Sequence, residues 1–268
     1  MDPTFPVAGR IRVVLVGTQH PGNIGSAARA MKTMGLHRLV LVAPRHFPHP
    51  EADALAAGAR DLLETAEVHG SLAGAVADCG LVVGCTARPR RIAMDEHGPR
   101  DAALRLVGEA RRGVEVAVVF GRERTGLENG ELQLCHAAVT IPANPGYSSL
   151  NLAAAVQVLA YELRMTFLAG GEASTGERPA PPDDLPASHA EMEGFFGQLA
   201  EVLDAIDFHK GRAPEVAMHK LRRVFLRASP DTREVRLLRG VLADMQRVAR
   251  LAGQAGDGGT VDGGERET

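Results

Sequence analysis

The chain has 268 residues, of which 45% are apolar and 4% aromatic, and its formal net charge is −3. This length allows one large domain or one domain with an appendage, and the apolar content can fill an ordinary soluble core. With eight Phe, two Tyr and no Trp, an aromatic stacking platform for single-stranded nucleic acid is not expected as the main binding device.

Short apolar runs alternate with segments of helical spacing through the first two thirds of the chain. Runs rich in Val, Leu and Ile, as expected for strands buried on both faces, span residues 11–17, 38–43, 81–84, 116–120 and 138–141. Helices are predicted at residues 26–34, 53–63, 71–78, 100–110, 128–134 and 150–168. This alternation predicts an α/β fold with a mostly parallel sheet.

The composition changes sharply after the last of these helices. Residues 169–188 are rich in Gly, Pro, Ser, Thr, Asp and Glu, which predicts a linker. Amphipathic helices are then predicted at residues 191–206, 214–226 and 231–251. We therefore expect a main domain, a linker, a small all-α extension and a disordered tail, at residues 1–168, 169–188, 189–252 and 253–268.

The basic charge is concentrated in the extension. Between residues 209 and 250 there are eleven Lys or Arg and four Asp or Glu, a net charge of +7, which leaves −10 for the rest of the chain. A charge run by itself is more often a solvated helical surface than a binding site. The asymmetry nevertheless indicates a basic appendage on a neutral-to-acidic core.

Targeting segments and metal sites are not expected. The amino terminus lacks the pattern of a signal peptide, and no segment approaches the length of a membrane span. Cys79, Cys85 and Cys135 are odd in number and far apart, which argues against a disulfide framework and a zinc site. We expect a cytoplasmic protein with reduced thiols, no metal and no membrane association.

Polar loops follow three of the predicted strands, at residues 22–29, 121–126 and 142–151. The carboxyl ends of parallel strands meet at one edge of a sheet, where open α/β proteins bind ligands, so these loops predict one pocket. The first loop matches neither a phosphate-binding P-loop nor the dinucleotide fingerprint. Its helix start and Arg29 favour an anion site, although an ordinary capped helix with a solvent-facing Arg is an equal alternative.

The second and third loops add candidate binding groups. Glu123, flanked by two arginines, could hold a cationic or hydrogen-bond-donating group, or could form local ion pairs on a surface turn. Ser148 or Ser149 is expected to cap the helix that follows. Asn151 falls inside that predicted helix, where its poor helix propensity indicates a specific partner.

These loops resemble the motifs of the SPOUT class of RNA methyltransferases. The matching segments are Asn-Ile-Gly-Ser-Ala-Ala-Arg at 23–29, Phe-Gly-Arg-Glu at 120–123 and Ser-Ser-Leu-Asn-Leu at 148–152. Residues 30–35, 143–145 and 157–162 more closely resemble bacterial members that methylate the ribose 2′-oxygen of cytidine or uridine at tRNA position 32. The similarity runs over residues 10–167 and 195–246.

The resemblance implies a carboxyl-terminal trefoil knot, a homodimer, tRNA as substrate and S-adenosylmethionine as cofactor. The first-motif helix and the helix at 150–168 would form the dimer interface. Cys85 stands where Thr or Ser is expected, a change that backbone contacts to the cofactor would survive. The implied cofactor-binding residues are Cys85, Thr86, Ala87, Gly121, Ile141, Ser148, Ser149 and Leu150.

The resemblance also implies roles in catalysis and RNA binding. Arg29 would stabilise the developing alkoxide and bind the adjacent phosphate, since a guanidinium is a poor base. Ser149 would hydrogen-bond the reacting centre, and Arg88 would hold RNA or cofactor. The supporting residues would be Asn23, Glu123 and Asn151. The tRNA phosphates would contact Lys220, Arg222, Arg223, Arg227, Arg236 and Arg239.

Three alternatives stay open. A Rossmann-like nucleotide enzyme would need an acidic residue after the second strand, where Ala-Pro-Arg-His stands at 43–46. A catalytically inactive RNA-binding relative is disfavoured because Arg29, Glu123, Ser149 and Asn151 are all present. Methylation of another tRNA position, or of ribosomal RNA, is the third.

Overall fold

The structure is a computed structural model that describes residues 6–87, 94–170 and 181–257. After a 3₁₀ turn, its first half contains β1 (Ile11–Val16), α1 (Pro21–Thr33), β2 (Arg38–Val42), α2 (Pro50–Ala56), α3 (Arg60–Glu64), β3 (Glu67–His69), α4 (Leu72–Ala75) and β4 (Leu81–Cys85). Its second half contains β5 (Glu96–His97), α5 (Pro99–Arg112), β6 (Val116–Phe120), α6 (Asn129–Gln133), β7 (Ala137–Val139), α7 (Leu152–Ala169), α8 (His189–Ala205), α9 (Pro214–Ala228) and α10 (Thr232–Asp257).

The strands form one seven-stranded sheet in the order β3-β2-β1-β6-β4-β7-β5. Every strand pair is parallel, which confirms the predicted α/β class and the mostly parallel sheet. In the centre, Leu15 of β1 and Cys85 of β4 both align with Phe120 of β6. The carboxyl ends of these three strands therefore share one edge.

Helices cover both faces of the sheet. Val13 and Leu15 point into the larger apolar core, which α1, α2, α5 and α7 complete. Val14 and Val16 point into the smaller core beneath α4 and α6. This burial on both sides explains why the strands are continuous apolar runs rather than alternating ones.

Several element boundaries differ from the predictions. Helix α1 begins at Pro21, five residues before the predicted start, because a proline at the first helical position is preorganised for a helix. The helix predicted at 53–63 is two helices, separated at Ala57, which has a positive φ of 49°. Strands β3 and β5 have only three and two residues, too few to produce a readable apolar period.

Helix α7 has the length and composition of a membrane span when judged by those two properties alone. This differs from the expectation that no segment approaches that length. Its buried side chains, including Val156, Leu159 and Leu163, belong to the larger core. The helix packs against α1 and α5. In this structure α7 is a core helix with one face left exposed.

The three carboxyl-terminal helices have their own apolar core. Phe195 and Phe196 of α8 meet Phe225 of α9, with 4.7 Å between the ring centroids of Phe195 and Phe225. The core also includes Met192, Val202, Leu226, Val235 and Leu242. Helix α10 continues to Asp257, beyond the predicted start of the tail, and residues 258–268 lie outside the described ranges.

The end of the predicted linker is attached to α10. Asp183 and Asp184 form ion pairs of 3.1 and 2.9 Å with Arg236 and Arg233, and Ala187 is buried in the core of the extension. Residues 171–180 lie outside the part of the chain that the structure describes. The segment at 181–188 is therefore part of the packed extension.

The extension packs against the edge of the sheet where the strands begin. The backbone N–H of His189 donates to the carbonyl of Cys79 at 2.9 Å, and Arg223 donates to the carbonyl of Cys135 at 3.1 Å. Cys79 precedes β4 and Cys135 precedes β7. The basic helices and the carboxyl edge of the sheet thus lie at opposite ends of the strands.

Candidate active site

A cleft opens at the carboxyl ends of β4 and β6. Its volume is about 910 Å³ when the open solvent at its mouth is counted. The loops after β6 and β7 line it directly. The lining residues are Cys85, Thr86, Ala87, Phe120, Gly121, Arg122, Glu123, Arg124, Thr125, Gly126, Ile141, Ser148, Ser149, Leu150, Leu152 and Ala155.

All eight residues predicted to bind the cofactor lie in this cleft. They come from three segments, at 85–87, at Gly121 and at 141–150, which are brought together because β4, β6 and β7 are near neighbours in the sheet. Arg122, Arg124, Thr125 and Leu152 also line the cleft and were not predicted contacts. The signal that could have indicated these residues was their position within or beside the two loop motifs.

Glu123 fixes the loop after β6 to the loop before α1. Its carboxylate accepts hydrogen bonds from the backbone N–H groups of Gln19 and His20, at 3.1 Å each, and from the side-chain amide of Asn23 at 3.0 Å. Burial alone would raise the pKa of Glu123, but the hydrogen bonds from Asn23 and from backbone N–H groups outweigh burial and lower it. The carboxylate is therefore an ionised anchor.

This contact also changes the interpretation of the first loop. The sequence indicated an anion site at the start of α1, and Glu123 of the chain itself supplies the anion there. Of the first motif, Asn23 reaches the cleft region through Glu123, whereas no residue of 22–29 lines the cleft. The first loop thus contributes to the site through the hydrogen bond from Asn23 to Glu123 and not by lining the cleft.

Asn151 completes the same hydrogen-bonded chain. Its side-chain amide donates to the side-chain oxygen of Asn23 at 3.0 Å, and its own oxygen accepts from the backbone N–H of Ala153 at 2.9 Å. Asn151 is thus the N-cap of α7, rather than a residue inside the helix, and Ser148 and Ser149 are not the caps. The expected specific partner of Asn151 is Asn23.

A tight hairpin holds the loop after β6. The backbones of Arg122 and Gly126 exchange hydrogen bonds of 3.2 and 2.9 Å, and Gly126 has a φ of +67°. A Cβ on Gly121 would lie 2.1 Å from the carbonyl carbon of Gly126. The loop can close in this way only because position 121 is glycine.

The electrostatics of the cleft exclude two groups as bases or nucleophiles. Burial raises the pKa of the Cys85 thiol to about 12, so this side chain is neutral and poorly reactive. Arg122 pairs with Glu131 at 3.0 Å, and this hydrogen bond raises the pKa of Arg122. Neither Cys85 nor Arg122 is free to remove a proton.

The catalytic residues named by the resemblance are not all together. Ser149 lines the cleft and is exposed in the single chain. Arg29 is exposed on α1, on the same row as Lys32, and does not line the cleft of its own chain. Arg88 lies outside the described residues. The place of Arg29 beside Ser149 and Gly121, within a subunit or across a dimer, therefore stays a prediction.

Two of the six predicted phosphate-binding residues of the extension are only partly exposed and have partners within the chain. Arg222 donates two hydrogen bonds to Glu193 and lies over the ring of Phe196, with 4.3 Å from its guanidinium carbon to the ring centroid. Arg223 ties α9 to the carbonyl of Cys135. These contacts engage part of each guanidinium within the protein, and a contact of either side chain with tRNA stays a prediction.

The other four residues lie on the surface of the extension. Arg236 pairs with Asp183, and Arg239 donates to the side-chain oxygen of Gln198 at 3.1 Å. Lys220 and Arg227 are exposed and have no hydrogen-bond or ion-pair partner among the residues that the structure describes.

The described ranges also contain no group of three or more His, Cys, Asp or Glu arranged to hold a metal ion.

Comparison with known proteins shows the family of this chain. The model of the SpoU rRNA Methylase family matches residues 10–161, and that of the tRNA methyltransferase TrmJ C-terminal domain matches residues 190–254. A tRNA (cytidine/uridine-2′-O-)-methyltransferase TrmJ from Cronobacter sakazakii is 50% identical over 238 residues, which cover 88% of this chain and 96% of the relative.

Two solved structures are similar along the same length. The crystal structure of TrmJ from Z. mobilis ZM4 has a TM-score of 0.75 and 36% identity and covers 88% of this chain and 98% of its own. A probable methylase family protein from Haemophilus influenzae Rd KW20 has a TM-score of 0.58 and 40% identity over 91% and 98% of the two chains. The two family models together cover the sheet domain and the helical extension, and this chain belongs to the SpoU methylase family, among its TrmJ members.

Proposed function

We propose that this chain is a tRNA (ribose 2′-O)-methyltransferase that uses S-adenosylmethionine and acts on cytidine and uridine, at nucleotide 32 of the anticodon loop. The observation that carries the proposal is the cleft itself. It gathers all eight residues expected to bind the cofactor and is braced by the Asn23, Glu123 and Asn151 hydrogen-bonded chain. The curated TrmJ relatives support the choice of tRNA and of the two nucleosides.

The cleft lining fits S-adenosylmethionine. Ile141, Leu150 and Leu152 give apolar walls suited to an adenine ring, and the hydroxyls of Thr86 and Ser148 offer polar contacts to a sugar. When bound, the cofactor supplies an electrophilic methyl group on a sulfonium centre. The trefoil knot implied by the family resemblance would shape this part of the chain and belongs to the same proposal.

The residues of the chain then have to orient the ribose and stabilise its 2′-oxygen as the methyl group is transferred, while the proton of the hydroxyl passes to water, to which the cleft is open. Ser149 supplies a hydroxyl in the cleft that can hydrogen-bond this oxygen. Glu123 keeps the loop after β6 in place and is too fully hydrogen-bonded to act as the base. A guanidinium is suited to stabilise the developing alkoxide and to bind a neighbouring phosphate, which is the role proposed for Arg29.

We assign Arg29 to the cleft of a second copy of the chain. Arg29 is exposed on α1, which packs against α7, and α7 presents the exposed apolar side chains of Tyr161, Met165 and Leu168 on one side. A homodimer that covers this face would bury it and would also bring Arg29 to the partner cleft. For Arg88 the proposed role is to hold RNA or the cofactor, as the resemblance implies.

The extension would bind the body of the tRNA through phosphate contacts that set orientation without reading sequence. Lys220, Arg227, Arg236 and Arg239 are exposed, and a phosphate would have to compete with Asp183 for Arg236 and with Gln198 for Arg239. The extension meets the amino edge of the sheet, away from the cleft. A reaction on tRNA also makes a cytoplasmic location the proposed one.

The test is methyl transfer from labelled S-adenosylmethionine to total tRNA and to ribosomal RNA, followed by nucleoside mapping. We expect label in 2′-O-methylcytidine and 2′-O-methyluridine at tRNA position 32, and at least a hundredfold loss in Arg29→Ala, on the order of the effect of removing one preorganised donor. Label in ribosomal RNA alone, or at another tRNA position, would overturn the assignment of substrate. Equal activity of the variant would overturn the role of Arg29.

A further inference from the structure

The hairpin after β6 presents three consecutive residues to the cleft in fixed positions. Arg122 and Gly126 close it with two backbone hydrogen bonds, and Gly121 packs directly on the backbone of Gly126. Glu123, Arg124 and Thr125 form its tip, and all three line the cleft. A charged side chain on this tip therefore starts from a rigid base.

The charged neighbours of Arg124 are already engaged elsewhere. The carboxylate of Glu123 is turned toward Gln19, His20 and Asn23. Arg122 pairs with Glu131 at 3.0 Å, and its side chain packs so closely over Gly17 that a Cβ there would lie 2.8 Å from its Nε. Glu123, the carboxylate next to Arg124 in the chain, therefore forms no ion pair with it.

Arg124 is exposed and has no ion pair or hydrogen-bond partner within residues 6–87, 94–170 and 181–257. It differs in this respect from exposed arginines such as Arg60, which pairs with Asp53 at 3.3 Å. A guanidinium held at the mouth of a cleft, with its five donors available, is suited to bidentate binding of an anionic oxygen pair.

The substrate brings such an anion with it. In RNA the 2′-oxygen and the 3′-phosphate are attached to neighbouring ribose carbons, so a ribose that enters the cleft places a phosphate close to its mouth. We infer that Arg124 binds a backbone phosphate of the RNA beside the ribose that is methylated. The inference rests on the proposed function, and its rival is a contact of Arg124 with the carboxylate of the cofactor.

The experiment compares Arg124→Ala, Arg124→Lys and the control Arg60→Ala, which removes another exposed positive charge, outside the cleft. The dissociation constants for tRNA and for S-adenosylmethionine are measured separately, the first over a range of salt concentrations. We expect Arg124→Ala to weaken tRNA binding about tenfold, as loss of a charge-assisted hydrogen bond does, and to reduce the salt slope by about 0.7–0.9. Arg124→Lys should retain most of the affinity, and cofactor binding should not change.

The other outcomes are equally decisive. Equal tRNA affinity in Arg124→Ala and Arg60→Ala overturns the inference, and so does a selective loss of cofactor affinity, which would assign Arg124 to the carboxylate. Wild-type protein that binds no tRNA at about 0.15 M salt overturns it as well. If Arg124→Ala loses tRNA affinity but wild-type protein transfers no methyl group, the contact stands and the proposed function fails.

Discussion

The side-chain amide of Asn23 donates a 3.0 Å hydrogen bond to the carboxylate of Glu123, one hundred positions further along the chain. The same carboxylate accepts from the backbone of Gln19 and His20. One ionised side chain thus joins the start of α1 to the loop that lines the cleft. Because its acceptors are all used inside the protein, Glu123 acts on the site by positioning that loop.

The first prediction concerns Glu123→Gln. A glutamine keeps one acceptor oxygen but turns a donor toward the N–H groups of Gln19 and His20, so at least one hydrogen bond is lost. We expect the free energy of unfolding in urea to fall by about 1–3 kcal/mol and the affinity for S-adenosylmethionine to fall with it. The control is Glu64→Gln, an exposed residue on α3, and an equal effect of the two changes would contradict the positioning role.

The second prediction is a pH dependence. The pKa of Glu123 is lower in the folded protein than its ordinary value, so its ionised form stabilises the fold above the unfolded pKa of about 4.3. That stabilisation is lost as the pH falls through the folded pKa. The difference in urea midpoint between wild type and Glu123→Gln should therefore be full at neutral pH and shrink in acid, and a constant difference would exclude this linkage.

The general architecture could be predicted from the sequence because the central strands are unambiguous. The runs that became β1, β2, β4 and β6 are apolar apart from Arg12 and Arg38, and they match the observed strands to within one residue at each end. Strands β3 and β5 could not be found, since they are short edge strands and half of their residues or more are polar. Propensity is a weak guide where neighbouring strands decide the pairing.

The sequence motifs indicated which residues line the pocket, but they did not reveal the side-chain contacts that hold these residues in place. Gly121 and Ser148 were correctly expected to share a pocket, because strand ends locate their loops at one edge, whereas Cys85 was indicated only by the family resemblance. Asn151 was assigned to the wrong side of a helix boundary, since Ser148 and Ser149 are equally good caps by propensity. The burial of Arg222 depends on Glu193 and Phe196, and no local pattern in the sequence reveals such a tertiary contact.

The third prediction compares two glycines near the same hairpin. In Gly121→Ala the new Cβ would lie 2.1 Å from the backbone of Gly126, so the hairpin must open and its tip must leave the cleft. We expect a loss of about 1–3 kcal/mol in stability and loss of cofactor binding by calorimetry. Gly130→Ala on α6 meets nothing within 4 Å and should be neutral or stabilising; cofactor binding retained by Gly121→Ala would contradict the packing argument.

The fourth prediction separates two basic residues of α9. Lys220 is exposed, so Lys220→Ala should leave the melting temperature unchanged, weaken tRNA binding and reduce the salt slope by about 0.7–0.9. Arg222 holds Glu193 and Phe196, so Arg222→Ala should destabilise the extension by about 1–3 kcal/mol. Calorimetric melting and salt titrations measure both effects. An Arg222→Ala protein that melts like wild type would contradict the structural role of Arg222 and favour a role in tRNA binding.

The last prediction tests whether Arg29 serves the cleft of a partner chain. Arg29→Ala and Ser149→Ala are co-expressed with different tags, and the mixed dimer is purified on both. If the two residues meet across the interface, the mixed dimer holds one complete site and one doubly altered site, and about half of the wild-type activity should appear, as two-fold symmetry requires. If they meet within one chain, both sites in the mixed dimer lack a residue and it is as inactive as either parent. Restored activity would explain why Arg29 is exposed on α1 while Ser149 lines the cleft. An inactive mixed dimer would exclude a site shared between two chains.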